Sequence, residues 1–330
     1  MKESFLIVLG GGKSQLPFIE SGLKLGYKII LIDKNKKSIG VKKSDFFINE
    51  STHNANSVIK KIKALDIKIS GLIARTTGNA LYTAAAINEH FKLIGINKDL
   101  VEISTSKTKL RDFLNEEQIS SPQGENIKSI SSTNGHNLFS KYNSVVVKPE
   151  ITVIGKKGIY LCKTAKEIND KIPITKMCSF NNHAEVQKYI DGKDSCLLVW
   201  FSSGKYEILL SWDEHNSFQK NSKKLVGNYI SMPANKLTNK SKKFITKCCE
   251  KFSKRFCEIS FLLAFSFRFD NKGEGYLIEV HADLTGDLIL EKLAPKSTGE
   301  NFFDKIIDLH VGKKISVDYK MKKELIEYPG

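Results

Sequence analysis

Apolar positions in the first hundred residues come in short unbroken runs separated by stretches of helical period. Phe5 to Leu9 is one such run. The glycine turn Gly10-Gly11-Gly12 follows it, and then a helix pattern over Leu16 to Leu25 that Gly26 closes. Tyr27 to Ile32 reads as a second strand ending at Asp33, and Asn56 to Leu65 as a helix. Gly71 to Ala74 is a third strand and Ala80 to His90 an alanine-rich helix. Apolar strands alternating with helices predict an α/β domain with a doubly wound parallel sheet. Ligands of such sheets sit beyond the carboxyl ends of the strands. Gly10 to Lys13, Asp33 and Arg75 to Asn79 occupy those ends, which makes Gly11, Gly12, Arg75 and Asn79 candidate substrate contacts.

The texture changes after Ser104. A helix pattern covers Lys107 to Glu116, and a polar segment with Pro122 follows. A strand at Val145–Lys148 is joined by the glycine turn Gly155–Gly158 to a strand at Ile159–Cys162. Ala184–Ile190 and Ser195–Phe201 are strands around the turn Asp191-Gly192. Lys240 to Phe256 is a long helix. Phe261–Phe269 and Tyr276–Ala282 form a hairpin turned by Asp270-Asn271-Lys272-Gly273. Strands and hairpins dominate here, so this half is α+β. The predicted division is 1–104 and 105–330, with a smaller lobe at about 140–190. No internal repeat is visible.

Composition narrows the class. Apolar residues make up 41% and charged residues 27% of the 330, as in ordinary globular proteins. No run approaches the roughly 20 apolar residues of a membrane-spanning helix. The apolar run near the N-terminus lacks a small-residue cleavage site, so a cytoplasmic location and no membrane partner are expected. The net charge is +16, but only Arg75, Arg111, Arg255 and Arg268 are arginines, which leaves 48 of 52 basic residues as lysine. Base-reading proteins depend on the arginine fork, so specific nucleic-acid binding is not expected. The six cysteines contain no C-x-x-C pair and suit a reducing compartment.

Gly12-Lys13-Ser14 looks like the end of a P-loop, but position 7 is Ile7 where that motif needs glycine. Gly10-Gly11-Gly12 likewise lacks the third dinucleotide-binding glycine, since position 15 is Gln15. Backbone amides there remain suited to an anion at a helix N-terminus.

Several segments, in order from Leu9 to about Gly312, resemble the ATP-grasp superfamily of carboxylate–amine ligases and biotin carboxylases. Ile7 to Gly12 with Leu25-Gly26-Tyr27 and Asp33 is similar to its N-terminal domain. Ser106 to Leu114, followed by Ile119 and Pro122, resembles the start of its two-lobed grasp domain. The resemblance implies that Lys107 and Lys148 contact ATP phosphates, and that Gly155 to Gly158 is the glycine loop covering them. Gln187-Lys188-Tyr189-Ile190-Asp191-Gly192-Lys193-Asp194 resembles the adenine hinge. It implies contacts from Gln187, Tyr189 and Ile190 to the base and from Asp194 to the ribose.

Tyr276 to Asp287 resembles the magnesium strand, with Glu279 at the place of the bridging carboxylate. Strand alternation puts Tyr276, Ile278, Val280 and Ala282 on one face, and Glu279, His281 and Asp283 on the other. These three are the candidate metal ligands. The pattern departs from the family where His281 replaces asparagine, Asp283 replaces the substrate arginine, and Ser266 stands where a second acid is expected. Phe265, Phe267 and Phe269 face the core, which leaves Ser266 and Arg268 on the cleft side. Arg268 is the candidate stabiliser of an acyl phosphate, and Lys148 the principal catalytic cation.

The implied function is ATP- and Mg²⁺-dependent joining of a small-molecule carboxylate to an amine, with Mn²⁺ as a substitute metal and a homodimer as the family's frequent assembly. Ser266 and Asp283 motivate an alternative, an ATP-binding regulatory or assembly protein with a decayed metal site. Biotin carboxylation is disfavoured by the chain's length and by its lack of a Met-Lys-Met biotin-attachment motif.

Overall fold

The computed structural model describes residues 4–131, 134–152, 155–235, 237–286 and 288–327. The first sheet is parallel. Its strands are β1 (Phe5–Leu9), β2 (Lys28–Asp33), β3 (Phe46–Asn49) and β4 (Ile69–Ile73), in the order β3-β2-β1-β4. β1 is buried along its whole length because helices cover both faces, which is why it reads as a continuous apolar run. The crossover helix Leu16–Lys24 starts with Pro17 in its first turn, where a missing amide hydrogen costs nothing.

Two antiparallel sheets follow. The smaller contains β5 (Gly124–Ile127), β6 (Val145–Pro149), β7 (Tyr160–Cys162) and β8 (Ala184–Lys188), ordered β5-β8-β6-β7. Helices Asn134–Tyr142 and Ala165–Met177 pack on it, giving a core of its own around Val145, Val147, Ile168 and Val186. The larger contains β9 (Gly192–Ser202), β10 (Lys205–Phe218), β11 (Leu225–Met232), β12 (Phe261–Asp270), β13 (Gly275–His281) and β14 (Glu324–Glu327). Its order is β13-β12-β9-β10-β11-β14. The helix Asn239–Arg255, capped by Thr238 whose side chain accepts from the Ser241 amide, covers one face of this sheet with Phe252 against Phe201 and Phe265.

Along β12 the alternation is clean. Phe265, Phe267 and Phe269 are buried and stacked on one another, while Ser266 and Arg268 turn to the opposite face. The neighbouring β13 is less regular. Ser266 pairs with Glu279 but Phe267 pairs with Leu277, so a β-bulge falls at Ile278. Strict alternation across Tyr276–Ala282 is therefore broken: Leu277, Val280 and Ala282 join the core, and Ile278 turns to the cleft with Glu279. Among the described residues no helix is long and apolar enough to cross a membrane. Asp287, the last residue of the magnesium-strand motif, lies outside the described residues.

Candidate active site

A cavity of about 380 Å³ opens between the small sheet, the large sheet and the carboxyl end of β4, a size suited to a nucleotide or a small ligand. Ile159, Phe218 and Leu225 meet where β10 pairs with β11 and form an apolar slot, and Val146 and Ile278 add to the apolar lining. Lys107, Lys148 and Glu279 lie along it, and Thr77, Gly78, Ser104 and Asp283 line it near the parallel sheet.

The two lysines reach the centre from separate elements. Lys148 is on β6, in register with Glu185 on β8. Lys107 opens the helix Lys107–Glu116, whose N-cap Ser106 accepts from the Lys109 amide. Glu150, two residues after Lys148 and 2% exposed, braces that helix end. Its carboxylate accepts from the Ser106 hydroxyl, from the Thr108 amide at 3.2 Å and from Asn181 at 2.7 Å. Both ammonium groups then meet Glu279 Oε1, Lys107 at 3.4 Å and Lys148 at 3.5 Å. Lys107 also donates to Thr152 Oγ1 at 2.8 Å. Burial alone would raise the Glu279 pKa, but the two lysines and His281 hold its carboxyl far below the usual range. Burial pulls the Lys148 ammonium down, against the opposing pull of Glu279.

Arg268 also lines the cavity, where this chain's own groups already engage it. It donates to both oxygens of Asp194, each at 2.6 Å, and to the Ile190 carbonyl at 3.3 Å, and it stands over the Tyr189 ring. Register explains this, since Arg268 pairs with Asp194 across β12 and β9, one alternation away from the Ser266–Glu279 pair. Asn216 donates to Asp194 at 3.1 Å, and Lys156 of the glycine loop donates to Asn216 at 2.6 Å and Glu214 at 3.2 Å. The loop is thus tied to β10 across the cavity. In the segment 187–194, the Tyr189 amide donates to the Ser144 carbonyl. The Ile190 amide has no acceptor among the described residues. Gln187 lines the cavity, and its amide donates to Glu185, which pairs with Arg111. Gly155 lines the cavity as well. Gly158 instead packs on Cys178, and its carbonyl accepts from Thr175.

The four candidate substrate contacts are not among the lining residues. The Gly11 amide donates to Asp33 at 2.8 Å and the Gly12 amide to Gln15 at 3.1 Å, so both already have acceptors. Arg75 is 4% exposed. It donates to the Ser14 and Thr285 carbonyls, pairs with Glu291 at 2.9 Å and lies between the rings of Phe18 and Phe303, which makes it a structural tie. Asn79 opens the helix Asn79–Phe91 on its exposed side, and the cavity reaches Thr77 and Gly78 instead.

Glu279, His281 and Asp283 all line the cavity, yet among the described residues no three His, Cys, Asp or Glu side chains gather into a cluster that could hold a metal ion. His281 Nε2 lies 3.7 Å from Glu279 and 3.4 Å from the Ser266 hydroxyl, while Asp283 accepts from the Thr285 amide two residues on. Magnesium is held in many sites by one or two carboxylates together with substrate phosphates. The donors here fit an ion that arrives on a nucleotide and meets Glu279, and do not fit one enclosed by these three side chains. The residues sequence reasoning missed are Glu150, Glu185, Glu214 and Asn216. Only Glu150, in Lys148-Pro149-Glu150, had a local signal.

No protein-family model and no curated protein matches the chain. Solved structures do. N5-carboxyaminoimidazole synthetase from Staphylococcus aureus in complex with ADP superposes with a TM-score of 0.75 at 14% identity, over 98% of this chain and 82% of that one. L-amino acid ligase from Bacillus licheniformis gives 0.73 at 16%, over 97% and 78%. The biotin carboxylase domain of Hydrogenobacter thermophilus 2-oxoglutarate carboxylase, in complex with MgADP and bicarbonate, gives 0.73 at 16%, over 97% and 73%.

Proposed function

We propose that this chain, which has the ATP-grasp fold, is an ATP-dependent ligase that activates a carboxylate as an acyl phosphate and joins it to an amine. The observation that carries this reading is the meeting of two buried lysines from separate elements on one carboxylate, in a cavity with an apolar slot beside it. A bound polyphosphate would take over from Glu279 as counter-charge to both ammonium groups. The base would lie in the slot against Phe218 and Leu225, with the Ile190 amide at its edge. Asp194 would face the ribose from an orientation fixed by Arg268. Glu279 would hold Mg²⁺ together with phosphate oxygens, and the ion would supply charge neutralisation on the transferred phosphoryl group.

A carboxylate oxygen of the substrate attacks the γ-phosphorus and ADP leaves. The neutral amine nitrogen then attacks the acyl carbon, phosphate leaves with the bonding pair, and the nitrogen's surplus proton passes to the departing phosphate. Lys107 and Lys148 contribute by fixing the phosphates in line and offsetting charge in a water-poor site, so no side-chain nucleophile is needed. The six cysteines are free thiols, which supports a cytoplasmic setting. The likeness to an L-amino acid ligase and to an ADP-bound synthetase supports the same reaction class.

The test is ADP release from Mg·ATP with pooled carboxylates and amines, read beside product mass. Lys148→Ala should lower turnover by 100-fold or more, an order set by the loss of one transition-state cation, with an unchanged circular-dichroism spectrum. Full turnover in that variant would sink the assignment. Ser266, opposite Glu279 in place of a carboxylate, favours a second reading as an ATP-binding regulatory protein. That protein would bind ATP and release no ADP with any pool.

A further inference from the structure

Apart from Asp283, the acids that line the cavity are already paired with this chain's own cations. Lys107 and Lys148 meet Glu279, Lys156 meets Glu214, and Arg268 meets Asp194. Outside the lining, Arg75, whose Nε donates to the Thr285 carbonyl two residues beyond Asp283, is paired with Glu291. Asp283 is different. It lines the same end as Thr77, Gly78 and Ser104, is partly exposed to the cavity, and has no ion-pair partner among the described residues. One of its oxygens accepts from the Thr285 amide at 3.3 Å, and the other has no donor among the described residues.

The backbone after it is strained in a way that holds this arrangement. Leu284 and Thr285 are consecutive non-glycine residues with φ of 62° and 65°. Such conformations are uncommon, especially for a β-branched residue, and persist where surrounding contacts over-determine them, often at ligand sites. Here the contacts are the Arg75 bond to the Thr285 carbonyl and the Thr285 amide bond to Asp283. A carboxylate held at the wall of a cavity with no cation of its own favours a cationic ligand.

We infer that the end of the cavity marked by Asp283 binds a substrate carrying a protonated nitrogen, so that the acid activated at this site is an amino-acid-like zwitterion and not bicarbonate or a purely anionic acid. This rests on the ligase reading for the word substrate, but the binding preference stands on Asp283 alone. Asp283 is a specificity residue that touches the cationic nitrogen, and the phosphate lysines are untouched by its replacement.

Calorimetry on the full chain, saturated with a non-hydrolysable ATP analogue, tests it. The panel is the common L-amino acids, their deaminated carboxylic acids and bicarbonate, titrated into wild type and Asp283→Asn. At least one amino acid should bind, its deaminated partner should bind tenfold or more weakly, and Asp283→Asn should erase that difference with an unchanged affinity for the ATP analogue. Asp283→Arg should reverse the preference in favour of the deaminated acid. Binding led by bicarbonate or deaminated acids, no binding by any amino acid, or a preference that Asp283→Asn leaves intact would each overturn the inference. ADP release with the same panel is scored separately. Amino-acid binding without ADP release would sink the ligase reading and leave the Asp283 preference standing.

Discussion

Replacing Glu279 by glutamine removes the charge on which the centre of the cavity is balanced. Glu279 Oε1 lies 3.4 Å from the Lys107 ammonium and 3.5 Å from that of Lys148, and both lysines are at most 7% exposed. At an effective dielectric constant of ~20, each attraction is about 5 kcal/mol in favour of the ionised pair. Desolvation offsets much of that, and removing one member of a buried pair costs about 3–5 kcal/mol in measured cases. The Glu279 side chain is 26% exposed, which puts the expected loss at the low end, about 3 kcal/mol at pH 7.

The loss has a pH signature. The folded carboxyl is held below its ordinary value of 4.5, so its contribution is complete above that pH and fades as pH falls toward the folded value. The gap between wild type and Glu279→Gln should therefore close below pH 4.5, by about 1.4 kcal/mol per pH unit. Urea unfolding from pH 3 to 8 measures it. Metal-free ATP gives a second readout, because its phosphates supply the missing counter-charge: it should raise the thermal midpoint of the variant more than that of wild type. Equal stability of the two proteins at pH 7, with a constant gap across the acid range, would refute the idea that Glu279 neutralises the lysines.

Two further outcomes follow from the geometry. Arg268→Lys keeps the charge but loses the fork that grips both Asp194 oxygens and the Ile190 carbonyl. ATP affinity should fall by tenfold or more, about 1.4 kcal/mol, as read by calorimetry, and an unchanged affinity would show that the pair does not order the ribose end. Cysteine reactivity should split by burial. Cys162 and Cys249 are pushed up to about 12 by burial, burial raises Cys196 and Cys248 as well, and Cys257 is exposed. A disulfide exchange reagent at pH 8 should titrate Cys257 first in native protein and all six in denaturant; rapid labelling of Cys248 or Cys249 in the native state would contradict the packing beneath the helix Asn239–Arg255.

What the sequence by itself determined is what short-range rules encode. The apolar run Phe5–Leu9, the helix at Lys107–Glu116 and the alternation along Phe265–Phe269 appear in the structure as read, because each depends on neighbours within one turn or one strand. Motif spacing singled out Lys107, Lys148 and Glu279 on separate elements, and the fold brings the three side chains together. The tertiary structure decided how the elements register against one another. Arg268 is engaged by Asp194, 74 residues away, because β12 pairs with β9 so that the two face each other. A bulge against β12 moved Ile278 to the cleft side, which no count within β13 reveals. The glycine amides at residues 11 and 12 were taken by Asp33 and Gln15, and Arg75 was drawn to Glu291 across 216 residues. Polar groups removed from water take the nearest partner that the packed fold offers, and that partner is fixed by sheet order and register, not by the local run of residues.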